Sequence, residues 1–206
     1  TDRPKHLDPV QSYSEDEINF TAQIYEPPLQ YHYLRRPYAL VPGTAAAVPQ
    51  ARYLDAQGRA LPDNADPARI AFTDYVIDIQ PGIRYQPHPA FARAPGGAHA
   101  YHALTSVQLD GINALADFPM RDSRELTAED YVYGIKRLAH PRLHSPIFGL
   151  MEEYVVGLGD YAKRLQAEKD KPWIDLREHK LDGVEVIDRH RYRIRVKGKY
   201  PQFLYW

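Results

Sequence analysis

The sequence predicts a mixed α+β fold, because it contains one alternating strand, two capped helices and one hairpin. In the strand, from Phe72 to Gln80, apolar residues alternate with polar ones, which is typical of a strand with one buried face. Each helix begins where Ser or Thr stands three residues before an acidic residue, a pattern that places the hydroxyl residue at the N-cap. The hairpin is predicted where Gly183–Ile187 and Tyr192–Val196 flank the turn Asp188-Arg189-His190. Strand patterns therefore cluster near both ends of the chain.

Caps and prolines define the elements of the first third of the chain. Ser14 and Glu17 form a capping-box pattern, and Pro27-Pro28 cannot continue a helix. In chain order these signals predict a helix from the Ser14 cap to about Tyr25, a strand at Leu29–Leu34, a loop-rich stretch at 42–67 and a short strand within it at Ala51–Leu54.

The middle of the chain is less regular. After the strand at 72–80, Pro81-Gly82 predicts a turn, and Ile83–Tyr85 is expected to return as a second strand. Residues 87–123 show no periodicity and are expected to form an irregular insertion.

Two helices are predicted after this insertion. Thr127 and Asp130 cap the first, which is expected to end at Pro141. Its apolar face is formed by Ala128, Tyr131, Val132, Ile135 and Leu138. Apolar residues at helical spacing between Met151 and Leu165 predict the second, with breaks at Gly157 and Gly159.

Composition excludes several classes of site. The chain has no Cys, so it has no disulfide, no thiol nucleophile and no Cys-ligated zinc. A net charge of −1 gives no long-range attraction to nucleic acid or anionic lipid. No apolar run approaches the ~18 residues that a membrane-spanning helix needs. The 18 Pro residues predict many turns, and the 16 Tyr residues suit half-buried walls and ligand clefts equally.

Local patterns give little support to catalysis or metal binding. His99 with His102, and His140 with His144, could each supply two imidazoles, but neither pair has a persuasive third ligand, so no metal site and no cofactor are predicted. The glycines of 157–160 lack the strand and the third glycine of a dinucleotide fingerprint. Basic residues alternate along the last strand and are expected to form the solvated face of an edge hairpin: Arg191, Arg193, Arg195 and Lys197.

Five stretches, in this order, resemble the family 5 extracellular solute-binding proteins, the oligopeptide- and dipeptide-binding type. They are Leu7-Asp8-Pro9 with Ile24-Tyr25-Glu26 and Leu29; Tyr75 to Tyr85; Thr127 to Tyr133; Arg137-Leu138-Ala139 to Ser145-Pro146; and Gly183 to Asp188 with the 192–196 strand and Pro201-Gln202-Phe203. The resemblance covers nearly the whole chain.

The resemblance implies an α+β fold of incomplete periplasmic-binding-protein type II-like form, with a small N-terminal subdomain and part of the first ligand-binding lobe. It assigns 1–41 and 181–206 to that lobe and 42–180 to the subdomain, which includes the insertion at 87–123. The implied protein is not an enzyme. It is the periplasmic or extracytoplasmic component of an ABC importer, which captures a peptide or similar small solute for the permease subunits and meets the membrane only through the permease or a lipid anchor.

The resemblance also implies a ligand site. The segment after Leu7-Asp8-Pro9 lines the ligand cleft in the family, so Ser12, Tyr13, Ser14 and Glu15 are expected at a concave surface, extended, with backbone N–H and C=O groups free to pair with a ligand. A second cleft position follows the Ser-Pro after the capped helix. Here it is Ile147 where the relatives have Tyr, so the chain departs from the family pattern at this position.

Three further expectations accompany this interpretation. A metal-dependent hydrolase that uses the histidines of the insertion is one alternative, and a stand-alone Tyr-rich module that binds carbohydrate or protein is another. The uncharged apolar run from Tyr200 to Trp206 differs from the polar ends of most natural chains, so the source gene is expected to continue past Trp206.

Overall fold

The computed structural model describes residues 3–205, so Thr1, Asp2 and Trp206, at the outer ends of the two ranges predicted for the lobe, lie outside the described residues. The described residues form two compact units, one made of 3–80 with 127–205 and the other of 81–126. The first unit contains the helices α1 (Glu15–Ile24), α2 (Ala128–Arg137), α3 (Phe148–Tyr154) and α4 (Leu158–Gln166). Its strands are β1 (Leu29–Tyr31), β2 (Leu40–Pro42), β3 (Ala51–Leu54), β4 (Phe72–Asp78), β5 (Val184–Asp188) and β6 (Arg191–Lys197).

The core of the first unit is an antiparallel four-stranded sheet with the order β3-β4-β6-β5. The buried face predicted for 72–80 is confirmed, because Tyr75, Ile77 and Ile79 are all buried. On the opposite face Asp78 and Gln80 are exposed, whereas Asp74 is buried. The predicted hairpin is also confirmed as β5 and β6. On the buried face, Tyr75 lies opposite Ile194, and Ile77 lies opposite Tyr192. The sheet therefore joins two segments that are far apart in the sequence.

The hairpin lies at an edge of the sheet as expected, because β5 is an edge strand, but the expectation that its basic face is solvated is wrong for Arg193 and Arg195, which are half-buried. β6 is an inner strand, because β4 and β5 pair with its two sides. Arg195 makes two hydrogen bonds to Asp74 of β4, at 2.6 and 2.8 Å, while Arg193 bridges Asp74 and Glu185 of β5. Burial raises the pKa of Asp74, but the two guanidinium groups more than offset this effect and lower it. The basic face is thus a ladder of cross-strand ion pairs.

Helix α2 packs on the buried face of the sheet. The Tyr131 ring of α2 stacks on Tyr192 of β6 at 5.7 Å, which fixes α2 across the sheet. The helices α3 and α4 contact each other, and α3 also contacts β6. The helix break predicted at Gly157 is confirmed, because this residue has a φ of +76° and forms the N-cap of α4. The break predicted at Gly159 is wrong, because Gly159 lies inside α4.

Helix α1 begins as predicted at Ser14, whose hydroxyl accepts a hydrogen bond from the Glu17 N–H. Glu17 is buried, and its carboxylate accepts four backbone hydrogen bonds at 3.0–3.1 Å, from Lys5 and His6 on Oε1 and from Tyr13 and Ser14 on Oε2. The N–H groups of Tyr13 and Ser14 contribute most to lowering the pKa of Glu17 to about 2. One carboxylate therefore fastens the preceding chain to the start of α1. We call this arrangement the Glu17 clamp.

The predicted strand at Leu29–Leu34 is shorter than expected. It ends at Tyr31 and pairs with β2, a partner that the sequence did not indicate. The short strand at Ala51–Leu54 is confirmed as β3, which pairs with β4.

The second unit is mostly irregular, as expected, and contains three short 3-10 helices: Pro89–Phe91, Val107–Leu109 and Leu115–Asp117. The predicted return of Ile83–Tyr85 onto the strand at 72–80 is wrong. The Tyr85 N–H donates instead to the Arg124 carbonyl at 3.0 Å, and the Leu126 N–H donates to the Ile83 carbonyl at 2.8 Å. The two ends of this unit therefore pair with each other.

Two predictions concern the whole chain. One four-stranded sheet contains strands from both predicted ranges, because β3 and β4 lie within 42–180 whereas β5 and β6 lie within 181–206. The boundary predicted at 181 therefore assigns strands of a single sheet to different domains. The division into lobe and subdomain stays a prediction.

Across residues 3–205, no helix combines the length and the apolar character needed to cross a bilayer.

Removing the cap of α2 tests the helix start. Thr127 is the N-cap, and the Asp130 carboxylate accepts hydrogen bonds from its N–H at 2.8 Å and its hydroxyl at 3.2 Å. We expect Thr127→Ala to lower the free energy of unfolding by about 1 kcal/mol in urea titrations, because it removes the hydroxyl that donates to Asp130. The matched change Thr21→Ala, inside α1, should not destabilise, because Ala has the higher helix propensity. Equal unfolding midpoints for Thr127→Ala and the unchanged chain would contradict the cap.

The Glu17 clamp predicts a specific pH dependence. The pKa of Glu17 is about 2 in the folded chain against an ordinary 4.5, so its stabilising effect is present above pH 4.5 and is lost as the pH falls toward 2. Glu17→Gln should therefore lower stability near neutral pH and flatten the stability profile in this acid range. Glu15→Gln, at an exposed position on the same helix, serves as the control and should leave the profile unchanged. Parallel acid profiles for Glu17→Gln and the unchanged chain would count against the clamp.

Candidate functional site

The segment from Asp8 to Ser14 is less extended than the sequence indicated. The Asp8 carbonyl accepts hydrogen bonds from the N–H groups of Gln11 at 2.9 Å and Ser12 at 2.8 Å, so the chain turns at 9–11. Ser14 is extended as expected, with φ −81° and ψ 155°. Glu15 is already the first residue of α1. The extended part of the predicted site is therefore confined to residues 12–14.

The expectation that the backbone N–H groups of this segment are free is wrong. The Ser12 N–H donates to Asp8, and the N–H groups of Tyr13 and Ser14 donate to Glu17. The turn and the Glu17 clamp thus use the N–H groups that an added strand would need. A ligand at this segment would meet carbonyl oxygens and side chains, including the Tyr13 ring, which is 62% exposed.

Two interactions hold this segment against the loop that follows α2. The Arg137 guanidinium forms a bidentate ion pair with the Asp8 carboxylate. Burial raises the pKa of Asp8, but Arg137 more than offsets this effect and lowers it. The Gln11 side-chain amide also donates to the Leu143 carbonyl at 3.0 Å. The two parts of the predicted site are therefore brought to neighbouring positions by residues that sequence reasoning did not select.

Ile147, the second predicted site position, is half-buried and precedes α3 as its N-cap residue. It follows Leu143 by four residues, in the loop that Gln11 contacts. Within residues 3–205, no hydrogen bond joins Ile147 to Ser12, Tyr13, Ser14 or Glu15. The two segments are therefore joined through Gln11 and Leu143, and not by a hydrogen bond of Ile147 itself.

Each segment also contains a buried hydroxyl without a hydrogen-bond partner among the described residues: Ser12 Oγ and Ser145 Oγ. Buried polar groups normally have a hydrogen-bond partner. Each of these hydroxyls therefore has the capacity to bond to an ordered water or a ligand. Ser145 was not selected as a site residue, and its place before Pro146 gave no signal that its hydroxyl would be buried.

The histidine pairs do not form a metal centre within the described residues, where no three side chains of His, Asp or Glu are grouped to hold an ion. His140 uses its Nδ1 to accept the Arg142 N–H at 3.2 Å. His88, in the second unit, accepts the Ala90 N–H in the same way, at 3.0 Å. These two imidazoles therefore satisfy local backbone groups.

No family model matches the chain, and no curated protein matches it. Solved structures do. OppA of Burkholderia pseudomallei matches with 16% identity and a TM-score of 0.51, over 98% of this chain and 26% of its own. The pheromone receptor PrgZ, described with its mode of peptide binding, matches with 17% identity and a TM-score of 0.53, over 96% of this chain and 26% of its own.

The murein tripeptide binding protein MppA of Escherichia coli matches with 17% identity and a TM-score of 0.52, over 98% of this chain and 27% of its own. The chain therefore spans about a quarter of the length of these proteins. At such low identity the similarity establishes the fold. The chain has a mixed α/β fold that corresponds to part of the large periplasmic-binding-protein type II fold.

Proposed function

We propose that this chain is part of the extracytoplasmic solute-binding component of an ABC importer, of the family 5 type, which captures a peptide or similar small solute and presents it to the permease. The observation that supports the proposal is the match of nearly the whole chain to about a quarter of the fold of these solute-binding proteins. The proposed action is binding without a covalent step, so the chain is not an enzyme and needs no cofactor. Its proposed location is the periplasm or another extracytoplasmic compartment.

The proposed ligand site consists of Ser12, Tyr13, Ser14, Glu15 and Ile147. Tyr13 supplies an exposed ring with a hydroxyl at its tip, which suits contact with both apolar and polar parts of a solute. The carboxylate of Glu15 is exposed and favours an amine on the ligand. Because Glu17 occupies the Tyr13 and Ser14 N–H groups, recognition would depend on carbonyl oxygens and side chains rather than on a full added strand.

An exposed apolar surface supports the proposal that this chain packs against further parts of a ligand-binding lobe. Helix α1 buries only Glu17, and most of its large apolar side chains face solvent. The exposed members of this surface, all within 18–38, are Ile18, Phe20, Ile24, Tyr25, Tyr31, Tyr33, Leu34 and Tyr38. Soluble monomers rarely expose so many large apolar side chains in one short stretch. In the proposal, residues 1–41 and 181–206 contribute to a ligand-binding lobe, and this surface packs against the remainder of that lobe.

Calorimetry with a defined peptide tests the proposed site. In the full-length protein we expect trialanine to bind, and Tyr13→Ala to weaken its affinity at least tenfold, ~1.4 kcal/mol, because an aromatic wall of the site is lost. Ser14→Pro is a poor test, because it removes an N–H that the Glu17 clamp uses.

Trp173→Ala is the control, because Trp173 is an aromatic residue that is 71% exposed and lies outside the proposed site. It should bind trialanine as the unchanged protein does. If Tyr13→Ala keeps full affinity, the proposed site is wrong. Native mass spectrometry of the exported protein identifies a solute that co-purifies with it. If no solute co-purifies and no added solute binds, the solute-binding function is wrong.

A further inference from the structure

A cavity of about 560 Å³ that is open to solvent lies between the loop after α2 and the helices α3 and α4. This volume is in the range of small-molecule sites. Its apolar wall includes Leu138, Pro141, Phe148 and Ala162. Its polar wall includes His140, Ser145, Glu152 and Lys163. All of these residues belong to the first unit, so the cavity is formed within one body.

Glu152 is the principal reason to expect a ligand in this cavity. Its side chain is half-buried, and among residues 3–205 it has neither an ion pair nor a hydrogen bond on its carboxylate. The carboxylate lies against the first turn of α4, where Gly159 leaves room for it. A Cβ atom at residue 159 would be 2.4 Å from Glu152 Oε1. A half-buried carboxylate without a partner favours a cationic group on whatever fills the cavity.

The rest of the polar wall provides donors. His140 accepts the Arg142 N–H on Nδ1, which leaves the Nε2–H of the neutral ring to donate. Burial and the nearby Arg142 and Arg137 lower the pKa of His140, which favours this neutral form. The Lys163 ammonium group donates to the exposed Asp160 carboxylate at 3.1 Å and lines the cavity from the surface side. These groups match a carboxylate on the ligand.

We propose that this cavity binds a free amino acid with an apolar side chain. The ligand ammonium group pairs with Glu152, its carboxylate accepts a hydrogen bond from the His140 Nε2–H near Lys163, and its side chain contacts Phe148 and Pro141. The charges of the wall disfavour a dication and a simple anion. A dication would meet Lys163, and a simple anion would meet Glu152. This site is separate from Ser12–Glu15 and does not depend on the proposed peptide-binding function.

Calorimetry with L-leucine and its analogue isocaproate, which lacks the ammonium group, tests this inference on the chain of residues 1–206. We expect saturable binding of leucine and at least about tenfold weaker binding of isocaproate, because a charge-assisted hydrogen bond to Glu152 is lost. Glu152→Gln keeps the shape of the side chain and should weaken leucine binding by a similar factor. Glu153→Gln changes an exposed neighbour that is not part of the cavity wall, and should leave leucine binding unchanged.

Two further variants separate this site from the peptide site. Ala162→Leu fills the cavity without changing its charge, and should abolish leucine binding while circular dichroism shows a folded chain. Tyr13→Ala should have no effect on leucine binding. The inference is overturned if leucine shows no saturable binding at millimolar concentration, or if Glu152→Gln binds it as well as the unchanged chain. Leucine binding that is lost in Tyr13→Ala and kept in Glu152→Gln would also overturn it, and would leave the proposed peptide site intact.

Discussion

The pairing of β4 with β6 is the interaction on which the rest of the first unit depends. It runs without interruption from Phe72 opposite Lys197 to Asp78 opposite Arg191, and so joins segments more than a hundred residues apart. Asp74 strengthens it on one face through Arg193 and Arg195. On the other face, the buried side chains of the two strands include Tyr192, on which Tyr131 of α2 stacks. Without this pair, β3 and β5 would have no common sheet.

The sheet also determines where the candidate peptide site lies. Tyr192 of β6 holds Tyr131 of α2, and the last residue of α2, Arg137, reaches Asp8. Asp8 in turn shapes the turn that leads into Ser12–Ser14, and Glu17 fixes the end of that segment through four backbone hydrogen bonds. The segment is therefore prepared before any ligand binds, which reduces the ordering cost of binding. The same hydrogen bonds leave the N–H groups of Tyr13 and Ser14 unable to donate to a ligand.

Features set by local chemistry could be predicted from the sequence, and features set by distant partners could not. The caps at Ser14 and Thr127 and the turn of the β5–β6 hairpin depend on residues a few positions apart. The neighbours of β4, the true partner of Ile83–Tyr85 and the inner position of β6 depend on pairing across most of the chain. The capping box identified Glu17, but nothing local indicated that Lys5 and His6 would share its carboxylate. For the same reason the sequence marked the segment of the site and missed Arg137 and Ser145.

The central claim is that Glu17 holds the candidate ligand segment in place by hydrogen-bonding its backbone. Amide hydrogen exchange of Tyr13 and Ser14, followed residue by residue by NMR near neutral pH, tests this claim most directly. We expect both amides to exchange far more slowly than in an unstructured peptide, and to lose that protection in Glu17→Gln while the amides of β4 and β6 keep theirs. Exchange of Tyr13 and Ser14 at the unstructured rate in the unchanged chain would contradict the account.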